Sequence, residues 1–349
     1  MQNPDVLVVI VNYKSAQLAL GALQSLTEER ARNPDLRIEA VVVENASGDE
    51  AALREGIGRF GEWATLVVSA VNGGYGAGNN VGLRWAFEQG RPPRYFHLLN
   101  PDTVVHPDGV AGMVRFMDAT PRAGIAGNRI QNPDGNDWPY AFRFPSAASE
   151  LLEGAELGVL GKLLKGREVL LPMGDEPKQV DWMPGASLML RREVVEQVGG
   201  FDEEFFLYYE ETDLCRRAKA AGWEIWYAPY GRVMHICGQS TGVTVQGEGP
   251  KRKPRYTYES RRRYFVKNHG YTYAALADLA YLAGNAVGGL KKVIKREPKQ
   301  PYLFRDFLRD TVLLPQNRKG VNPPRQYAPA PGSASSAGSA ASAKKERAS

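Results

Sequence analysis

The chain has 349 residues, 43% apolar and 24% charged, which is enough for one large α/β domain with an appendage. Its formal charge of +5 is uneven: residues 251–349 carry 21 Lys and Arg against 6 Asp and Glu, leaving the first 250 residues at −10. An acidic body with a basic C-terminal third suits an anionic partner for that third: a membrane surface, a nucleic acid or a phosphorylated substrate. Two cysteines, Cys215 and Cys237, exclude a secreted disulfide framework and fit a reducing cytoplasm. The N-terminus lacks the basic and apolar regions of a signal peptide. No apolar run reaches the ~20 residues that span a bilayer. The longest, from Ala274 to Leu290, is broken by Asp278, Asn285 and three glycines.

Val6 to Val11 is a continuous β-branched run, the pattern of a strand buried on both faces. Asn12 and Tyr13 end it, and a helical pattern follows through Leu18, Leu23 and Leu26. Ile38 to Val43 is a second such strand, ending in Glu44-Asn45-Ala46-Ser47-Gly48-Asp49, and Thr65 to Ser69 a third. This alternation predicts a parallel sheet with crossover helices, whose ligands sit beyond the carboxyl ends of the strands, where Asn12, Glu44 and Asn72 fall. Residues 72–80, Asn-Gly-Gly-Tyr-Gly-Ala-Gly-Asn-Asn, precede a helix through Leu83, Trp85 and Phe87. Glycines there would let backbone amides approach a phosphate; a plain glycine turn reads equally well from this segment alone.

Tyr95 to Leu99 is the fourth strand, ending in Asn100-Pro101-Asp102-Thr103. A carboxylate at a strand end suits a hard divalent cation that already carries phosphate oxygens, whereas Asp134 in Asn-Pro-Asp-Gly exemplifies the ordinary turn aspartate. An amphipathic helix is expected from about Ser149 to Leu164, and an apolar run from Ser187 to Leu190 follows Trp182-Met183-Pro184-Gly185-Ala186. The apolar run Phe205 to Tyr209 then delivers the chain into Glu210, Glu211 and Asp213, with Leu214, Ala218 and Ala221 at helical spacing and Gly222 as the stop. Crowded carboxylates at an aromatic-lined helix start are held toward the protonated form, so that one of them can serve as general base. The plain alternative is an acidic first turn answering the helix dipole. Strand Glu224 to Tyr227 precedes His235, with Cys237 two residues on. From residue 251 an aromatic, arginine-rich helix (Tyr256 to Lys267) is followed by an apolar stripe, Leu276, Leu279, Ala283, Val287 and Leu290, closed by Lys291, Lys292, Lys295 and Arg296. A shorter stripe, Leu303 to Leu308, comes before Pro315, and from about Gln326 the composition cannot bury a core.

Together these stretches resemble the family 2 inverting glycosyltransferases of the GT-A fold, in the rhamnosyltransferase-like branch of bacterial cell-surface polysaccharide assembly. Residues 9–13 resemble the opening strand, 43–49 the nucleotide-base loop, 72–80 the glycine-rich loop, 98–103 the metal motif, Gly185-Ala186 the acceptor-side loop and 209–217 the catalytic-base motif, in that order. Three positions depart from the usual pattern: Asn100 stands for Asp at the start of the metal motif, Glu44 for Asp in the base loop, and Glu210-Glu211 for Glu-Asp.

The resemblance implies a Rossmann-like, mostly parallel sheet over about residues 1–242, with a donor half to about 105 and an acceptor half beyond. A basic helical extension (243–325) and a disordered tail (326–349) would complete the chain. Carried over, Asn12, Tyr13, Glu44, Asn45, Asn72, Gly74, Tyr75, Gly78, Asn79, Asn100 and Asp102 would bind the donor. Trp182, Gly185 and Ala186 would face the acceptor, and Asp102 with His235 would hold Mg²⁺ or Mn²⁺. Glu211 is the aligned base, with Glu210 and Asp213 as alternates. The implied donor is a nucleotide sugar, dTDP-L-rhamnose first among UDP- and GDP-sugars. A saccharide or a polyprenyl-diphosphate-linked saccharide would accept. The expected setting is the inner face of the cytoplasmic membrane, held by the basic helices. The same stripes would equally suit the catalytic domain or a second subunit, which leaves a homodimer open, and nucleic acid is not expected because no recognition fold accompanies the charge. Two other classes compete: a nucleotidyltransferase, whose first strand-helix turn would need glycines that Asn12-Tyr13-Lys14 lacks, and a non-catalytic nucleotide-sugar-binding assembly protein.

Overall fold

The computed structural model describes residues 2–156, 164, 166–236, 252–298 and 302–312. Val6–Asn12 (β1) and Ile38–Glu44 (β2) pair in parallel, and β1 is buried along its whole length. Continuous β-branched runs form such strands because both faces are covered by helices. Ala64–Val68 (β3) extends the sheet beyond β2, and Tyr95–Leu99 (β4) pairs in parallel on the other side of β1. The sheet then changes sense. Ser187–Arg191 (β8) runs antiparallel to β4, and Ala123–Gln131 (β6) antiparallel to β8. Glu224–His235 (β9) is parallel to β6 and carries Thr103–Val105 (β5) along its far part and Lys178–Val180 (β7) along its near part. The order is β3-β2-β1-β4-β8-β6-β9-β5, with β7 beside β9, so the mostly parallel sheet expected from the alternation is present.

Helices Ala16–Arg32 (α1), Glu50–Ile57 (α2), Gly74–Glu88 (α3) and Ala111–Ala119 (α4) cover the sheet. Ala147–Ala155 (α5), Arg192–Val198 (α6) and Glu210–Ala220 (α7) follow. The amphipathic helix expected to reach Leu164 is α5, which starts two residues early on a Ser146–Ser149 capping box and ends at Ala155, where Glu156 turns left-handed. Residues 157–163 of that expectation lie outside the described residues, as do Cys237 and the tail from 326. Asp134 is an ordinary turn aspartate, its Oδ1 accepting from Asn136 N at 3.0 Å.

The C-terminal part was expected as separate helices. It is a pair of helical arms within Arg255–Lys295 (together α8), separate as expected and reversed at Gly270, whose φ of +78° no helical residue adopts. Arg261 and Asp278 prove the reversal: 17 residues of straight helix separate their backbones by about 25 Å, yet Arg261 Nη1 lies 2.6 Å from Asp278 Oδ1. Arm 255–269 packs on the 205–209 loop, where Phe205, Tyr264 and Phe265 share a buried cluster with Ala274 and Ala277 of arm 271–295. Short turns Leu303–Phe307 (α9) and Leu308–Val312 close the described chain, tied back by Arg252 to Asp306. No helix among the described residues is long and apolar enough to cross a membrane.

Candidate active site

Two cavities lie on either side of the 206–209 loop, the first beyond the carboxyl ends of β1, β2 and β4. The first, about 350 Å³, is lined by Tyr13, Asn45, Asn72, Tyr75, Asn100 and Tyr256, among others. The second, about 440 Å³, is lined by Trp182, Tyr208, Glu211 and Lys253, among others. The partition is a matter of single residues. Phe206 and Leu207 face the first cavity, Tyr208 and Tyr209 the second.

Hydrogen bonds between the motifs shape the first cavity. Asn45 Nδ2 donates to Asn72 Oδ1 (3.1 Å) and to Gly74 O (3.1 Å), while Gly74 N donates to Asn72 Oδ1 (3.0 Å). Asn45 Oδ1 is buried with no partner among the described residues, a donor-seeking atom at the cavity wall. Gly74 has φ +89°, and a Cβ there would sit 1.8 Å from Phe206 O, so the glycine-rich loop and the 206–209 loop meet backbone to backbone. Tyr75 N then donates to Phe206 O at 3.1 Å.

Tyr75 joins the two cavities. Its hydroxyl donates to Gly185 O (2.5 Å), and Gly185 N donates to Glu211 Oε1 (3.1 Å). Only glycine fits at 185, since a Cβ would lie 2.6 Å from the Tyr75 hydroxyl oxygen. Glu211 heads α7 beside Glu210, which is 1% exposed. Burial raises both carboxyls above the ordinary glutamate range, and Glu211 raises Glu210 further. A helix N-terminus favours the charged form by only about 0.3–1 kcal/mol, under one pKa unit, so desolvation prevails and the pair retains protons to higher pH. Tyr208 and Tyr209, the two residues before the pair, both hold left-handed φ (+71° and +70°). Such backbone costs of order 1–3 kcal/mol per residue and collects at functional sites.

Asp213 is turned the other way. Fully buried, it bonds Arg217 Nε (2.8 Å) and Lys267 Nζ (2.8 Å), and Lys267 reaches Asp202 at 2.8 Å. This network locks α7 to α8 and removes Asp213 from both cavities. At the rim of the first cavity, Asp102 Oδ1 lies 3.1 Å from His235 Nε2, which is 3.3 Å from Asn100 Nδ2. Among the described residues no cluster of three His, Cys, Asp or Glu forms. One carboxylate, one imidazole and one amide fit a divalent ion that draws its remaining ligands from a diphosphate and water.

A family model described as glycosyltransferase like family 2 matches residues 4–249. The chain belongs to that family. It is 33% identical over 190 residues to the N-acetylglucosaminyl-diphospho-decaprenol L-rhamnosyltransferase of Mycobacterium tuberculosis, covering 51% of this chain and 60% of the relative. It is 31% identical over 226 residues to the low-salt glycan biosynthesis hexosyltransferase Agl10 of Haloferax volcanii, covering 62% of each. These alignments thus span about three fifths of the relatives' own length. Among solved structures, GalNAc-T7 with UDP, GalNAc and Mn²⁺ superposes with a TM-score of 0.54 at 15% identity, covering 92% of this chain and 59% of that one. The mannosyltransferase PcManGT of Pyrobaculum calidifontis superposes with a TM-score of 0.50 at 15% identity, over 91% and 83%. The fold is therefore GT-A.

Within this family 2 chain, most residues singled out by motif converge, with some changes of role. Glu44, expected to meet a nucleobase, is 2% exposed and accepts from Ser47 N (2.6 Å) and Ser47 Oγ (2.5 Å), so it shapes its own loop. Asn12 is fully buried and donates to Asp49 (3.0 Å). Asn79 donates to Tyr75 O (3.0 Å), and Gly78 lies against Val11 and Asn45, so both support the cavity from behind. Ala186 is buried, its carbonyl accepting from Asn100 N at 3.0 Å. Trp182 lines the second cavity, stacked on Phe142 at 4.6 Å. Motif reading missed Tyr256 and Lys253. The signal available was the aromatic and basic start of the C-terminal helix, which carried no hint of which surface it would meet.

Proposed function

We propose that the chain is an inverting glycosyltransferase: a nucleotide sugar occupies the 350 Å³ cavity, and Glu211 deprotonates an acceptor hydroxyl held in the 440 Å³ cleft. The observation that carries this reading is the Tyr75–Gly185–Glu211 chain of hydrogen bonds, which ties the base carboxylate to the wall of the donor cavity. The acceptor oxygen attacks the anomeric carbon as its bond to the diphosphate oxygen breaks, and the hydroxyl proton passes to Glu211. A single displacement from the face opposite the leaving group inverts that centre. Glu210, more deeply buried, retains its proton and leaves Glu211 as the carboxylate. Gly185 N–H orients that carboxylate, while Phe206 and Leu207 line the donor side of the loop and Tyr208 and Tyr209 the acceptor side. Asp102 and His235, with Asn100, would hold Mg²⁺ or Mn²⁺, which when bound supplies positive charge to the departing diphosphate.

Rhamnosyltransferases among the relatives, one of them named a dTDP-rhamnosyl transferase, support dTDP-L-rhamnose as donor. The mycobacterial relative's name supports a saccharide on a polyprenyl diphosphate as acceptor. That acceptor sets the reaction at the inner face of the cytoplasmic membrane. Leu276, Leu279, Leu290 and Ile294 form an exposed stripe on α8 (54%, 66%, 63% and 75% exposed) that ends at Lys295 and Arg296. Leucines entering the acyl boundary beside cations at the head groups describe an interfacial helix. The test is release of dTDP from dTDP-L-rhamnose. It should vanish in EDTA and in Asp102→Ala, and should fall by about two to four orders of magnitude in Glu211→Gln. Full activity of Glu211→Gln would refute the role given to that residue.

A further inference from the structure

The cleft that holds Glu211 extends past the region matched by the family model. Lys253, Pro254 and Thr257 form its far wall, and all three follow residue 249, where that match ends. The near walls are aromatic. Trp182 is fixed by its stack on Phe142 and by donation from Nε1 to Arg143 O (2.9 Å), and Tyr208 stands on the strained loop before Glu210. A rigid aromatic face with a few polar groups at its edge suits the apolar face and hydroxyl rim of a pyranose.

The polar groups at that edge differ in availability. Glu150 is buried and bonded to Arg261 (2.8 Å), whose Nη1 also holds Asp278 (2.6 Å), so it belongs to the frame joining α5 to α8. Lys253 and Glu153 form no ion pair among the described residues. The Lys253 ammonium rests 5.8 Å from the Tyr281 ring centroid. Burial lowers its pKa, while Glu150 and Glu153 act in the opposite direction. Glu153 is exposed at the mouth of the cleft, its carboxyl held above the ordinary glutamate range by its apolar surroundings and then by Glu150. One ammonium and one carboxyl at the same rim offset each other, which favours an uncharged sugar over a uronate or a sugar phosphate.

We propose that Lys253 and Glu153 set acceptor specificity, hydrogen-bonding hydroxyls on the edge of an uncharged pyranose remote from the hydroxyl that Glu211 deprotonates. The C-terminal helix then completes the active site, and a catalytic unit ending near residue 249 would lack part of its acceptor site. This rests on the transferase reading above only for the identity of Glu211 as base.

The test uses the full chain with Lys253→Met and Glu153→Met separately, and octyl glucoside, octyl galactoside and octyl N-acetylglucosaminide as acceptor probes. Transfer from dTDP-L-rhamnose gives kinetic constants, and saturation-transfer NMR gives glycoside binding without turnover. Losing a hydrogen bond to a charged group should raise the acceptor KM or Kd about tenfold to a hundredfold, with donor KM within about twofold and unchanged melting. An unchanged acceptor constant in both variants overturns the proposal, and so does failure of every glycoside to bind the unmutated chain. If Lys253→Met does not fold, Glu153→Met alone decides. Glycoside binding that is weakened by the variants, in a chain releasing no nucleotide from dTDP-, UDP- or GDP-sugars, would refute the transferase reading and leave Lys253 and Glu153 as pyranose-binding residues only.

Discussion

Gly185→Ala is the sharpest probe of the link between the two cavities. The added Cβ would lie 2.6, 2.7 and 2.8 Å from the hydroxyl oxygen, Cε1 and Cζ of Tyr75, about 1 Å inside ordinary contact. The ring cannot simply withdraw: Phe201 packs edge-on at 6.0 Å, and the Tyr75 backbone is bonded to Phe206 O. If it is forced back by about 1 Å, its 2.5 Å hydrogen bond to Gly185 O passes out of range, leaving a part-buried carbonyl unpaired. That costs about 1–3 kcal/mol of stability. If the 185 loop retreats instead, Glu211 loses its 3.1 Å contact, and a displacement of about 1 Å at a reacting group lowers turnover about a hundredfold. Steady-state release of nucleoside diphosphate should therefore show kcat falling about a hundredfold with donor KM little changed. Tyr75→Phe keeps the ring and removes only the hydroxyl, so its loss should be nearer tenfold. Gly185→Ala with unmutated kcat would refute the coupling of Tyr75, Gly185 and Glu211.

Three further outcomes are expected. Burial holds Glu211 above the ordinary glutamate pKa of about 4.3. Since its carboxylate is the active form, kcat at saturating donor should rise with pH through a step displaced above that value and then level. A step at or below it would contradict a buried base. In Lys267→Met, Asp213 keeps Arg217 and Asp202 keeps Arg263, so the loss is less than for a fully orphaned charge, about 2–3 kcal/mol, or a Tm roughly 3–4 °C lower by calorimetry. An unchanged Tm would mean that the α7–α8 network does not stabilise the fold. Finally, the full chain should co-sediment with anionic liposomes at low salt, and Leu279→Glu with Leu290→Glu should release it. Recovery of the unmutated chain in the supernatant would remove the membrane from the proposal.

The sequence by itself determined the sheet and the order of its motifs. Runs such as Val6–Val11 and Ile38–Val43 can be satisfied only by burial on both faces, and in a parallel sheet that burial brings Asn12, Asn45 and Asn100 to one edge. It also showed a carboxylate cluster at a helix start. It could not say which carboxylate lines a cavity, because Glu210, Glu211 and Asp213 share one helical turn and one composition. The decision belongs to partners far along the chain: Lys267, 54 residues on, claims Asp213, and Gly185, 26 residues back, claims Glu211. Glu44 was read as a base contact because its position matched, but two bonds to Ser47, three residues away, turn it inward. The largest shift came from α8. Its periodicity fits a straight helix as well as a reversed one, and only Gly270, with Arg261 bridging back to Asp278 and across to Glu150, 111 residues earlier, folds it against α5. That packing brings Lys253 and Tyr256 to the cavities, a placement that hydrophobic spacing cannot encode because spacing says which face is buried and not against what.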